Sequence, residues 1–292
     1  MIYEIRHRTT YEYDSDVSLS HHVARLTAWN GPLQRRIHHA IEADPQPAGR
    51  SIHTDHYGNL ATFLTFEGPH RRLEIQALNT VELSPPPAIQ DSHSADWEQI
   101  RDAFAGVGHQ SPFEVSEFLH GSPMVPRRPE FVSYAKESFP RRTPVLCGAM
   151  DLMKRIHRDL IFDTRATNVT TPVQEVFKNR RGVCQDFAQL MIACLRSIGL
   201  PARYVSGYLE TEPVPGQVKL VGADATHAWV SIWCGSNGWI DLDPTNGIRP
   251  SERHVVIAVG RDFLDVSPIR GVIVGSGSHH LTVGVDVVPV KA

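Results

Sequence analysis

The run Ser84-Pro85-Pro86-Pro87 constrains this chain more than any other short segment. Successive prolines donate no backbone N–H and hold φ near −65°, so neither a central strand nor a helix interior continues through them. The segment reads as a stiff linker, and the hydrophobic pattern differs on its two sides. Before it, Tyr3–Tyr13, Val23–Ala28, Ile37–Ile41, Leu60–Phe66 and Leu73–Val81 carry β-branched and aromatic residues at short spacing. Turn signals at Asn30-Gly31-Pro32 and Tyr57-Gly58-Asn59 separate them, which predicts several short strands in a small sandwich or barrel.

After the linker the period changes. Leu146, Met150, Met153, Ile156, His157 and Leu160 recur at the three- and four-residue spacing of an amphipathic helix. Thr171-Pro172-Val173-Gln174 has the form of a helix start, with a capping Thr and Pro at the first helical position. A further helix opens near Cys184, sets Phe187, Leu190, Met191, Cys194, Leu195 and Ile198 on one face, and stops at Gly199 with Pro201 beyond. Strands follow at Ala202–Leu209, His227–Cys234 and Trp239–Leu242, connected through Pro213-Val214-Pro215-Gly216 and Gly235-Ser236-Asn237-Gly238. Val255–Val259, Gly271–Val274 and Leu281–Val290 add strand-like material. The expected architecture is α+β. A β-rich, sandwich-like domain spans 1–90, and helices packed on an antiparallel sheet, with the C-terminal strands, span 91–292.

Composition excludes some classes of function. Twenty-nine Lys and Arg stand against 32 Asp and Glu, with no basic stripe interleaved with aromatics, so no nucleic-acid partner is expected. No apolar run approaches the ~20 residues of a membrane helix, and Met1–His7 lacks the pattern of a signal peptide. The cysteines at 147, 184, 194 and 234 form no CxxC pair, so free thiols in a reducing cytoplasm are the simplest expectation. His pairs at 21–22, 38–39 and 279–280 offer one ligand each per strand face, so neither a metal nor a cofactor is expected.

The chemistry concentrates in Arg181–Ala188, His227–Val230 and Trp239–Thr245. A thiol at a helix start sits where unpaired N–H groups and the helix dipole favour the anion. Cys184 has that position, and its own N–H is placed to donate to an oxyanion. Cys194, on the apolar helix face, reads as core. His227 opens a strand whose alternation sets His227, Trp229, Ser231 and Trp233 on one face. On the next strand, Asp241 and Asp243 share a face, and either reaches the second ring nitrogen of His227 by this reasoning. Asp186 and Asp224 flank the motifs and are assigned structural roles.

Gly182–Ala188, Gly199–Tyr208, Asp224–Val230 and Gly238–Trp239 with Asp243–Gly247 resemble, in order and spacing, the core of the transglutaminase-like superfamily, which is related to papain. The β-rich first segment and the tail Gly260–Gly271 resemble the bacterial subgroup with a β-rich amino-terminal domain. The resemblance implies Cys184 as nucleophile, His227 as base and Asp243 as the residue that orients the base. It implies a cysteine peptidase or amidase acting on a peptide or protein amide, with protein-glutamine γ-glutamyl transfer as the alternative and a non-catalytic binding module as a second. Hydrolysis is favoured because the chain lacks the appended β-barrels of animal cross-linking enzymes.

Overall fold

Two very long strands dominate the amino-terminal sheet of the computed structural model, which describes residues 1–105, 112–210 and 225–290. They are β1 (Ile2–Ala24) and β4 (Leu60–Leu83), with β2 (Gln34–Asp44) and β3 (Gly49–Thr54) between them in sequence. The short strands expected at 60–66 and 73–81 are thus parts of one continuous strand, and that at 3–13 is the first part of β1, whereas most of the strand expected at 23–28 lies beyond the end of β1 at Ala24. The interval 14–18 breaks the regular pairing but does not end the strand. β1 crosses it through register shifts between Glu12 and Leu19, a bulge that bends the strand instead of ending it. β2 and β3 cover the other edge of β4. Leu64 and Phe66 from one half of β4 share a buried cluster with Leu73, Ile75 and Ala77 from the other half, so the bent sheet closes over its own core, sandwich-like.

The tail departs from the expected division. β11 (Ile269–Val274) and β12 (His279–Pro289) pair antiparallel with β1, not with the sheet of the second half. The physical reason lies in the edge of β1, whose N–H and C=O groups would otherwise stay unpaired. Val285 and Val287 then pack with Tyr3 and Ile5 in one buried cluster.

Beyond the prolines come α1 (Trp97–Asp102), α2 (Phe113–Ser116), α3 (Pro129–Lys136), α4 (Val145–Asp159), a short β5 (Ile161–Phe162), α5 (Val173–Asn179), β6 (Arg181–Gly182) and α6 (Cys184–Ser197). An antiparallel sheet follows, ordered β10-β7-β8-β9, from β7 (Ala202–Leu209), β8 (Ala225–Trp233), β9 (Trp239–Leu242) and β10 (His254–Gly260), and α7 (Phe263–Val266) precedes the tail. The expected connection at 213–216 lies outside the described residues. Thr171 does not cap α5: Pro172 holds the N-cap position, and the Thr171 hydroxyl instead accepts the Asn168 N–H at 3.0 Å.

α6 is buried on every side, from Gln185 through Arg196. It is the central rod of the second core, against Ala202 and Tyr204 of β7 and Ala228, Val230 and Ile232 of β8. Gly199, at φ 85°, ends it in the left-handed conformation that glycine adopts without strain. Arg196, 0% exposed, locks its end. Its guanidinium donates to the Ala202 carbonyl at 3.0 and 2.7 Å, to the Arg261 carbonyl at 2.7 Å and to the His120 carbonyl at 3.2 Å. Burial pushes this group down to about 10, still cationic at neutral pH, with the Asp262 charge opposing the shift.

The two halves meet through buried polar contacts. His7 Nδ1 lies 2.8 Å from the Tyr208 hydroxyl, and Asn59 bonds both the N–H and C=O of Val259 at 2.8 Å. No helix among the described residues is long and apolar enough to cross a membrane. Arg196→Leu is expected to lower unfolding free energy by about 3 kcal/mol, since it strands several buried carbonyls without donors. Denaturant titration at neutral pH measures this, and a loss below about 1 kcal/mol would show the guanidinium to be replaceable by packing.

Candidate active site

Cys184 is the first residue of α6, half-buried, preceded by Val183 in extended conformation. Asp186, one turn in, closes the helix start: its carboxylate accepts the Val183 N–H at 2.8 Å and the Thr167 hydroxyl at 2.6 Å. Burial pushes this carboxyl up, against those two hydrogen bonds. The turn requires glycine at 182, where an added Cβ would stand 2.5 Å from Asp186 Oδ2 and 2.7 Å from its Cβ. Asp186 is therefore the structural brace of the helix start, and Gly182 lets it approach. Asp224 lies outside the described residues.

β8 carries His227 to the same place. Opposite it in register stands Gly207, whose missing side chain leaves room for the fully buried Trp229 ring. His227 Nε2 lies 2.7 Å from Asp243 Oδ2, and Cys184 stands close enough to the ring to favour its charged form. The His227 side chain is 9% exposed and that of Asp243 0%. Asp241, left open as the alternative, turns elsewhere and accepts the Trp229 indole N–H at 3.0 Å. The chain selects Asp243 because it lies past the end of β9, in a turn that its own Oδ1 stabilises through the N–H groups of Thr245 at 2.9 Å and Asn246 at 3.2 Å.

Two neighbours were not anticipated. The Asn246 side-chain amide donates to Asp243 Oδ2 at 2.7 Å, and His254 Nε2 reaches the same oxygen at 3.3 Å. His254 Nδ1 accepts the Ser251 N–H at 3.3 Å, which leaves the ring proton on Nε2, facing the carboxylate. Asn246 follows Asp243-Pro244-Thr245 directly and was legible as part of that motif. His254 had no local signal, being a lone histidine ahead of an apolar strand.

The charges follow from these contacts. Burial alone would raise the Asp243 carboxyl, but hydrogen bonds from His227, His254 and Asn246 outweigh it and hold the group well below the usual carboxylate range. Burial likewise opposes the His227 cation, yet Asp243 and Cys184 overcome it and push the imidazole up to about 9. At neutral pH the ring is an imidazolium between an ionised carboxylate and the sulfur. His227, Asp243 and His254 are also the described residues with metal-ligand chemistry in one place, their ligating atoms within 4.8 Å of one another. They already satisfy each other by hydrogen bonds, and an ion there would have to displace the proton on each facing nitrogen.

Residues 3–82 match the model of the bacterial transglutaminase-like N-terminal region, and residues 133–244 match that of the transglutaminase-like superfamily. An uncharacterized protein of Mycobacterium tuberculosis is 41% identical over 295 residues, covering 98% of this chain and 92% of that one. The chain belongs to the transglutaminase-like superfamily. A protein-glutamine gamma-glutamyltransferase of Pseudomonas aeruginosa is 41% identical, but over 76 residues only, 26% of this chain and 11% of that protein. The crystal structure of a candidate cysteine protease from Cytophaga hutchinsonii superposes with a TM-score of 0.76 at 20% identity, covering 100% of this chain and 92% of the other, and so shares the fold. In this transglutaminase-like chain the superfamily match ends one residue after Asp243, so Asn246 and His254 lie beyond it.

The His227 imidazole is expected to titrate near 9 in this structure. Asp243→Asn should bring it down, because it removes the anion while the opposing burial stays. Nuclear magnetic resonance of ring-labelled histidine reads both values. A native titration at or below the ordinary 6.5 would mean that the ring does not carry a charge between carboxylate and sulfur.

Proposed function

We propose that the chain is a thiol-dependent acyl-transfer enzyme acting on amide bonds, with water as the acceptor. Cys184 is the nucleophile, His227 the acid and base, and Asp243 the residue that orients the ring. The observation that carries this reading is the convergence of a half-exposed helix-start thiol, a cationic imidazole and a buried carboxylate that hydrogen-bonds the imidazole at 2.7 Å.

In the first step the Cys184 sulfur, as thiolate, bonds to the amide carbonyl carbon and the electron pair moves to oxygen. The Cys184 N–H, among those at the helix start without an intrahelical acceptor, is placed to stabilise that oxyanion. His227 then gives its proton to the leaving nitrogen, the C–N bond breaks, and a thioester remains. The neutral ring takes a proton from water, whose oxygen attacks the thioester. The C–S bond breaks, a carboxylic acid leaves, and the thiolate–imidazolium pair is restored.

An amine in place of water turns the same intermediate into a new amide. The 76-residue identity with the Pseudomonas gamma-glutamyltransferase favours that second reading. The two are separated by mass spectrometry of a glutamine-containing peptide incubated with and without a primary amine. Cleavage or deamidation in both samples supports hydrolysis, whereas an amine adduct replaces it with transfer. Cys184→Ala is expected to abolish turnover, His227→Ala to come close to that, and Asp243→Ala to leave a residual rate. For a binding module of the same fold, the four thiols would label alike. For the enzyme, iodoacetamide at neutral pH labels Cys184 ahead of Cys147, Cys194 and Cys234, since burial pushes those three thiols up, Cys234 to about 12. Full activity in Cys184→Ala would end the proposal.

A further inference from the structure

β7 presents Ala202 and Tyr204 to the helical core, so alternation turns Arg203 and Val205 to the opposite face of the sheet. A cavity of about 450 Å³ lies on that face, between the catalytic sheet and the amino-terminal domain. Trp29 and Leu33 of the first domain, Pro86 and Pro87 of the linker, and Trp239 of β9 form much of its wall. The size suits a small molecule, and clefts between domains are common places for one. Cys184, His227 and Asp243 do not line it.

Arg203 lines this cavity beside Arg249, Asp241 and Glu252, and Arg249 is already paired with Asp91. The Arg203 guanidinium carbon lies 4.4 Å from the centroid of the Trp239 ring and 6.0 Å from that of Trp29. Its Nε is sealed from solvent without a hydrogen-bond partner. Among the described residues the guanidinium makes no ion pair and no hydrogen bond, in contrast to Arg196, whose donors all find carbonyls or a hydroxyl. Asp241 acts on Arg203 through its field, and its Oδ2 is taken by Trp229. Ser231, opposite Arg203 in register, is also fully buried, with a hydroxyl that has no partner. The Nη groups of Arg203 are the ones not sealed away, and a guanidinium without a protein partner is matched in shape by a carboxylate.

We propose that this cavity binds a small organic monoanion, a carboxylate carried on a flat or apolar body. The carboxylate accepts from the Arg203 fork, and the body lies against Trp239, Trp29 and the linker prolines. His254, which reaches Asp243 on one side, lines the cavity on the other, but the anion site is centred on Arg203 and stands whether or not the chain cleaves amides.

The probes are benzoate and its uncharged isostere benzamide, titrated into the full chain while tryptophan fluorescence is followed. Benzoate is expected to bind about tenfold or more tightly than benzamide, as a charge-assisted contact in place of a neutral one requires. Arg203→Gln should erase the difference between the two. Leu33, 43% exposed on the rim, offers a second variant that leaves the cation in place. Leu33→Trp fills the cavity and should remove benzoate binding, even if Arg203→Gln does not fold. Equal affinity for the two probes, benzoate binding undiminished in Leu33→Trp, or no fluorescence change at millimolar benzoate would each overturn the proposal.

Discussion

One buried carboxylate organises the candidate site. Asp243 is wholly shielded from water, and moving such a charge out of water costs several kcal/mol. Five hydrogen bonds offset that cost, three to Oδ2 from His227, Asn246 and His254 and two to Oδ1 from backbone N–H groups. Hydrogen bonds to a charged group contribute about 1.5–3 kcal/mol each, so together they are of the size needed to offset that cost. The result is a fixed negative charge whose strongest partner is the ring facing the sulfur. His254, pinned as the neutral tautomer by Ser251, adds a donor to the carboxylate and leaves the positive charge to His227.

α6 supplies the other half of that geometry. At its start, Asp186 braces the turn that presents Cys184; at its end, Arg196 ties the helix to the first residue of β7 and to the chain after β10. A rod buried on all sides and fastened at both ends holds its first residue in a defined place relative to the sheet. Preorganisation of this kind is what positions a nucleophile against its base. The helix start that presents Cys184 is kept in shape by a carboxylate one turn away, and the hydroxyl and N–H bonded to that carboxylate disperse its charge locally.

The amino-terminal sheet is more than an appendage. Its long strands are closed along one edge by β11 and β12, so in sequence the second sheet lies between the segments that build the first. Gln34, Asn59 and His7 then fasten that sheet to β10 and β7 through buried hydrogen bonds. The interface leaves a cavity walled partly by the proline linker, and the unpartnered Arg203 lies in it. A stiff linker suits that position, since it encloses a space without filling it.

The helix at Cys184, its stop at Gly199, the strand alternation around His227 and the family motifs were all legible in the chain, because each depends on residues within a few positions of one another. The break at the prolines was legible for the same reason. The merging of short strands into β1 and β4 was not, since a polar interval reads alike whether it forms a loop or a bulge. Nor did local pattern favour Asp243 over Asp241, reveal that His254 crosses to the same carboxylate, or show that the tail returns to β1. Those outcomes depend on which distant groups come within about 3 Å of each other in the folded state. Periodicity gives the direction of a side chain, but only the packed chain brings its partner.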